Sequence, residues 1–341
     1  MNVVCIGAHP DDAEVFAGGT CVKWVRQGHK VLLVSMTNGD VGHHEMAGGP
    51  LAKRRAAEAR LSAERAGAMD LVLDYHDGEL EPTLPVRKRV VEIIREFRAD
   101  IVLTHRPNDY HPDHRNTSAV VQDAAFMVTV PHFCPAAPAL TRNPVFVYTM
   151  DSFTKPTPFH PDVAVAVADV MDVKWSMLDA MESQMYEWLP WLEGTLGEVP
   201  RDRVGRRKWL EKNWGPYFDE PAKTARPLLE KFYGRKTALK IRYAELFEIC
   251  EYGHQPSVEE IRNTFEAAGF SFIALESVQQ TFADNFQAYY DKLSNRGVST
   301  LRLISDEEFH KGLARIEDIL RTGKRTGPVK EFIDMLVFKK E

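Results

Sequence analysis

Cysteine is scarce in this chain of 341 residues: Cys5, Cys21, Cys134 and Cys250 lie far apart, with no CxxC pair. That excludes a disulfide scaffold and predicts buried, reduced thiols in a cytoplasmic protein. No apolar run reaches the roughly 18 residues that a membrane span needs. The run Val3–Ala8 is too short for the apolar region of a signal peptide, and Asp11 and Asp12 follow it at once. Long basic runs are also missing. With 43 Lys and Arg against 49 Asp and Glu, the net charge is −6, so neither a nucleic acid nor an anionic membrane is an expected partner. There is no internal repeat and no low-complexity tract. The rest is ordinary: 44% apolar and 27% charged residues suit a soluble globular protein. The length suggests two domains, or one large domain with extensions.

The first half has a clear rhythm. Short apolar runs at 3–8, 31–37, 71–75, 101–104, 145–150 and 163–167 predict strands. Segments with helical spacing or helix-forming composition at 13–27, 51–67, 86–97 and 113–128 predict helices between them. This alternation predicts an α/β fold, a Rossmann-like, mostly parallel sheet covered by helices on both faces. From Val170 the pattern changes. One long helix is expected over 170–189, then a Gly- and Pro-containing loop over 193–207. Trp188, Trp191, Trp209 and Trp214 crowd this stretch, which predicts a helical excursion with its own small core or a subunit interface, or an aromatic wall beside a substrate. Past Gly253, Ser257 with Glu260 and Ser305 with Glu308 form capping-box patterns. With strands expected at 270–275 and 333–338, the tail reads as a small C-terminal α+β module. The expected divisions are 1–190, 191–253 and 254–341, and the chain is expected to form a homo-oligomer.

Two clusters carry chemistry. His9-Pro10-Asp11-Asp12 ends the first strand and opens the first helix; His111-Pro112-Asp113-His114 follows the fourth strand and opens another helix. In a doubly wound sheet the first and fourth strands are neighbours where the winding reverses, and ligands bind at their carboxyl ends. The topology therefore brings three His and three Asp to one place. A single His-Pro-Asp is common in turns, because Pro stiffens the loop and Asp caps the helix; two at matching strand ends point to a metal. A catalytic zinc takes three protein ligands and keeps one position for water. A His₂Asp set would draw one residue from each end of the first cluster and one from the second. A carboxylate would be left as a general base and a second His, with an Asp partner, as a general acid.

These residues resemble those of a known family. Ala8–Asp12 (AHPDD) followed by His111–His114 (HPDH) is similar to the PIG-L/LmbE-like N-acetylglucosaminyl deacetylases. Thr37-Asn38-Gly39-Asp40 resembles the family's TxGE-type turn, Arg55–Ala59 its RxxEA helix, and Lys174 with Ser183-Gln184 its K…SQ helix. The resemblance covers about residues 1–190, with an echo at 242–253. It implies metal ligands at His9, Asp12 and His114, a general base at Asp11, a second catalytic histidine at His111 oriented by Asp113, and substrate hydroxyls held by Arg55. It implies zinc, with ferrous iron as the alternative in the cell, no organic cofactor, and an N-acetylated sugar as substrate, cleaved to acetate and free amine. The tail resembles the C-terminal part of class I methyltransferases. No glycine-rich cofactor loop follows an early strand, so the tail is expected to be accessory.

Other candidates are His43 and His44, in a loop overhanging the crevice, and Tyr110, placed to reach an oxyanion. His105 is expected to be a packed residue at the strand's end. Two rival functions use the same residues. A non-haem iron enzyme also uses two His and one carboxylate, but the alternating pattern predicts an open parallel sheet, and Asp11 is a spare base. A non-catalytic binding protein would need neither Asp11 nor His111.

Overall fold

Val3, Val4, Cys5 and Ile6 are all buried, as a β-branched run is when helices cover both faces of its sheet. They form strand β1 (Asn2–Gly7) in a computed structural model that describes residues 1–257, 260, 270–294, 306–322 and 328–340. β1 pairs in parallel with β2 (Lys30–Thr37) on one side and with β4 (Ile101–Thr104) on the other. β3 (Met69–Tyr75) extends the sheet beyond β2, and β5 (Val145–Thr149) beyond β4, again in parallel. Helices α1 (Asp12–Arg26), α2 (Gly49–Ala66), α3 (Leu84–Phe97) and α4 (Pro112–Met127) lie between these strands in the chain. Val3 and Cys5 enter one buried cluster with Leu33 and Leu103; Val4 and Ile6 enter another with Val90 and Val121. Alternate residues of one strand thus feed opposite faces.

The sheet has seven strands in the order β3-β2-β1-β4-β5-β7-β6. β7 (Ala244–Gly253) runs antiparallel between β5 and β6 (Val163–Ala166). The stretch 191–253, expected as an excursion, therefore ends inside the main sheet.

The single helix expected over 170–189 is interrupted. Helix α5 (Met171–Ala180) stops at Met181, and a wider helical turn over Ser183–Trp188 leads into α6 (Leu189–Leu192). The amide and hydroxyl of Ser183 both donate to Glu58 of α2, and this carboxylate takes over from the helix's own bonds. Helix α7 (Arg203–Thr224) begins inside the expected loop, because Asp202 caps it by accepting the Gly205 N–H.

Contacts divide the chain into units Met1–Gln255 and Pro256–Glu341. In the second unit β8 (Phe270–Ala283) and β9 (Val329–Lys340) form an antiparallel pair, longer than the strands expected there. Helices Phe286–Ser294 and Asp306–Thr322 accompany them. Ser257 and Glu260 make the reciprocal capping bonds; most of the helix they would open lies outside the described residues. Ser305 lies outside them too. Among the described residues no helix is long and apolar enough to cross a membrane, and all four cysteines are free and buried.

Candidate active site

The pairing of β1 with β4 sets the loops after them side by side. The first loop turns sharply: a Cβ at Gly7 would lie 2.5 Å from the Asp12 Cβ, so only glycine fits where α1 folds back. Thr37, at the end of β2, donates its amide (2.8 Å) and hydroxyl (2.9 Å) to the Ala8 carbonyl. Asp11 sits at φ 152°, a region that few residues other than glycine occupy, which is strain stored in the loop that carries the expected base.

His9, Asp12 and His114 come together. His9 Nδ1 lies 3.2 Å from His114 Nε2 and 3.5 Å from Asp12 Oδ2, and His114 Nε2 lies 3.4 Å from Asp12 Oδ1. Donors about 2.0–2.1 Å from one tetrahedral ion are about 3.3 Å apart, close to each of these separations, in which Asp12 turns one oxygen to each ring. The remaining ring nitrogens fix the tautomers. His114 Nδ1–H donates to Asp109 Oδ2 at 2.9 Å; His9 Nε2–H points at Asp77 Oδ1 (3.2 Å) and Asp113 Oδ2 (3.3 Å). In its neutral form each ring would thereby turn its lone pair toward Asp12 and the other ring, as carboxylate-backed metal ligands do.

Among the described residues, three sets have ligand atoms all within 4.8 Å of one another: His9 with His111 and His114, Asp12 with His105 and His114, and His9 with Asp77 and Asp113. His105 is excluded by its own bonding, since its Nε2 already accepts the Ala8 amide at 3.0 Å. Its ring stacks on His114 at 4.1 Å, a packing role. Asp113 accepts the amides of Gly78 (2.6 Å) and Leu80 (3.2 Å).

Burial alone would lower the pKa of His9 and His114, but facing carboxylates overcome it. Asp113, Asp12 and Asp77 raise His9 well above the ordinary value; Asp12 and Asp109 push His114 up to about 9. Asp11 is buried, and burial first, then the charge of Asp12, raises its carboxyl to about 8.

Gln184 Nε2 donates to Asp11 Oδ2 at 2.9 Å, and Gln184 Oε1 accepts Arg55 Nη2 at 2.5 Å. Arg55, expected to hold substrate hydroxyls, is engaged by protein groups in this geometry. It is 1% exposed, it also donates to the Gly42 carbonyl, and it faces Asp77 at 3.8 Å. Its path explains Gly39, at φ 68°, where a Cβ would lie 2.6 Å from Arg55 Cδ.

The partner expected for His111 is also corrected. The Asp113 carboxylate faces His9. What reaches His111 is the Asp113 backbone amide, which donates to Nδ1 at 3.2 Å as α4 begins. Burial, then the neighbouring His9 and His114, lower the pKa of His111. Its neutral form carries the ring proton on Nε2. His43 does not line the crevice either: its side chain is 3% exposed and bonds Glu187 Oε2 at 2.8 Å. Tyr110 stands at the rim, 76% exposed, its ring 5.9 Å from that of His111.

Three contributors were not singled out in the sequence: Asp77, Asp109 and Gln184 as the holder of Asp11. A signal for Asp77 was present, a carboxylate just past the end of the third parallel strand.

Comparison with known proteins places the chain in a family. Residues 4–125 match the family model described as PIG-L, GlcNAc-PI de-N-acetylase. The diacetylchitobiose deacetylase of Thermococcus kodakarensis is 33% identical over 202 residues, 56% of this chain and 74% of the relative. A 1D-myo-inositol 2-acetamido-2-deoxy-α-D-glucopyranoside deacetylase of Rhodococcus erythropolis is 27% identical, over 44% of this chain and 60% of its own length. Among solved structures, the N,N'-diacetylchitobiose deacetylase of Pyrococcus horikoshii aligns with a TM-score of 0.54 at 26% identity, over 73% of this chain and 83% of that one. The 4-carboxy-2-hydroxymuconate hydratase of Pseudomonas putida aligns with a TM-score of 0.57 at 19% identity, over 76% of this chain and 100% of that one, and shares the fold. The chain belongs to the PIG-L family.

Proposed function

We propose that this chain is a metal-dependent amide hydrolase that removes the acetyl group from an N-acetylglucosamine-type amino sugar, giving acetate and a free amine. The observation that carries the reading is a division of labour at the β1–β4 crevice. The nearest ligand atoms of His9, Asp12 and His114 lie within 3.5 Å of one another pair by pair, Asp77, Asp109 and Asp113 are placed to orient the two rings, and Asp11, next in the chain to Asp12, is left as a base. The names of the relatives, deacetylases of acetamido sugars joined to a second group, support the substrate class.

His9, Asp12 and His114 would hold the metal, and a His₂Asp set suits zinc, with ferrous iron accepted by the same donors. When bound, such an ion acidifies water and polarises the acetyl carbonyl. Asp11 takes the proton of the attacking water. Neutral His111 donates its Nε2–H to the oxygen that becomes negative in the tetrahedral adduct. Protonated Asp11 then hands its proton to the departing nitrogen, so the amine leaves neutral. Arg55 holds Gln184 and Gln184 holds Asp11, which keeps the base aimed during both transfers. No organic cofactor enters this chemistry, and the unit Pro256–Glu341 contributes none of these residues.

The test is Asp11→Asn, with metal content and acetate release measured on one preparation. Metal stays at the wild-type level and the rate falls on the order of 10²–10⁴-fold. A fully active Asp11→Asn enzyme would contradict the role of Asp11.

A further inference from the structure

His105 follows β4 directly and touches both halves of the site without being one of the proposed ligands. Its Nε2 accepts the Ala8 amide at 3.0 Å, which ties the end of β4 to the peptide that leads into His9. Its ring lies flat on His114, with centroids 4.1 Å apart and planes within 5°. One side chain therefore meets the loop of the first motif and a ring of the second. The hydrolysis above gives it no task.

The Ala8 peptide is pinned from both sides. Its N–H goes to His105, and its carbonyl takes the Thr37 amide and hydroxyl. His9 comes next in the chain, and its own amide donates to Asp12 Oδ2 at 2.7 Å. A shift of the Ala8 amide therefore carries His9 and Asp12 with it. The same His105 nitrogen lies 3.2 Å from Asp12 Oδ2. With Nε2 engaged as an acceptor, this contact sets two lone pairs face to face, which holds Asp12 off β4. The Phe16 ring meets the imidazole edge-on at 5.9 Å, which leaves His105 little room to turn.

The stack on His114 is packing, but packing alone does not ask for a histidine. His105 is 4% exposed, and burying an imidazole costs free energy that a buried phenylalanine avoids. The bond to the Ala8 amide offsets that cost. Ala8 is itself fully buried, so losing this acceptor leaves its N–H unpaired.

We propose that His105 is a positioning residue for the metal site: by holding the Ala8 amide and the His114 ring at once, it sets the separation between the two motifs. The inference rests on the metal-dependent reading above and deepens it. His105 acts through His9, Asp12 and His114, and it touches neither metal nor substrate.

The experiment loads the full-length chain with cobalt(II), which accepts imidazole and carboxylate donors and whose visible absorption reports their geometry. Affinity is read by competition with a chelator, and folding by circular dichroism. His105→Phe keeps a flat ring on His114 and loses the acceptor. His105→Gln keeps an acceptor at the reach of Nε2 and loses the ring. His105→Phe should bind cobalt about 10–100-fold more weakly, with shifted bands, the loss expected when the support of a ligand is removed. His105→Gln should recover most of the affinity and the wild-type bands. His105→Asn, too short to reach the Ala8 amide, should show the His105→Phe loss and replaces it if His105→Phe does not fold. Wild-type affinity and bands in folded His105→Phe or His105→Asn would overturn the inference and leave His105 a packing residue. A His105→Gln protein as weak as His105→Phe would also overturn it, by denying the bond to Ala8 its role. If the wild type takes up no cobalt, the metal-dependent reading itself fails, and the inference with it.

Discussion

His9 and His114 each spend one ring nitrogen on a carboxylate, and that bond decides what the other nitrogen can do. Asp113 belongs to this layer. Asp113→Asn should weaken metal affinity about 10–100-fold by loosening the His9 tautomer. Competition with a chromogenic chelator measures this, and an unchanged affinity would contradict the assignment. Both ligand rings hold protons more tightly than a free imidazole, His114 with a pKa of about 9. An imidazolium has no lone pair for a metal, so binding must expel protons, and apparent affinity should rise with pH as each ring loses its proton, for His114 up to about 9, by up to about tenfold per unit for each proton released. Calorimetry in two buffers of different ionisation enthalpy counts those protons; a count of zero would contradict the geometry. The proposed ligands were legible in the sequence because His9, Asp12 and His114 sit in two short motifs at strand ends. Asp77 and Asp109 were not, because what they bond is set by how separate loops meet. The role of Asp113 was misread for a related reason. Adjacency suggested His111, but the start of α4 turns the carboxylate onto the Gly78 and Leu80 amides and His9.

Helix α1 carries Asp12 in its first turn and is held in place from its middle. The amides of Gly19 and Thr20 donate to Glu245 of β7 at 2.8 and 2.7 Å, and Lys174 of α5 donates to the Val15 carbonyl at 2.7 Å and to Glu245 at 2.6 Å. This buried pair, 1% and 5% exposed, locks a helix and a strand onto α1. Lys174→Met removes one partner and leaves an uncompensated buried charge, so it should cost about 3–5 kcal/mol, read from denaturant unfolding. A loss under about 1 kcal/mol would show that Glu245 is satisfied without the lysine. The alternating strands and helices were legible because buried parallel strands are apolar throughout and the helices between them are strong formers. β7 was not, because Glu245, Glu248 and Glu251 make it read as polar, and the lysine that neutralises the buried Glu245 comes from another element. The break after α5 was hidden likewise, since Glu58 of α2 imposes it from outside.

At the scale of the whole molecule, the order β3-β2-β1-β4-β5-β7-β6 does the decisive work. It puts the reversal of winding between β1 and β4 and so brings together two motifs about a hundred residues apart. Every residue assigned here to metal, base or ring lies in the unit Met1–Gln255. The other unit was legible only as alternating α and β segments. On the proposed function, this crevice cleaves an acetamide with a metal held by His9, Asp12 and His114. The most direct measurement is acetate release from N,N'-diacetylchitobiose by the full chain after chelator treatment, then after adding back one equivalent of zinc or ferrous ion. The stripped protein should release none, and one of the ions should restore activity at one equivalent per chain. Full turnover by the stripped protein, or none with either ion, would contradict it.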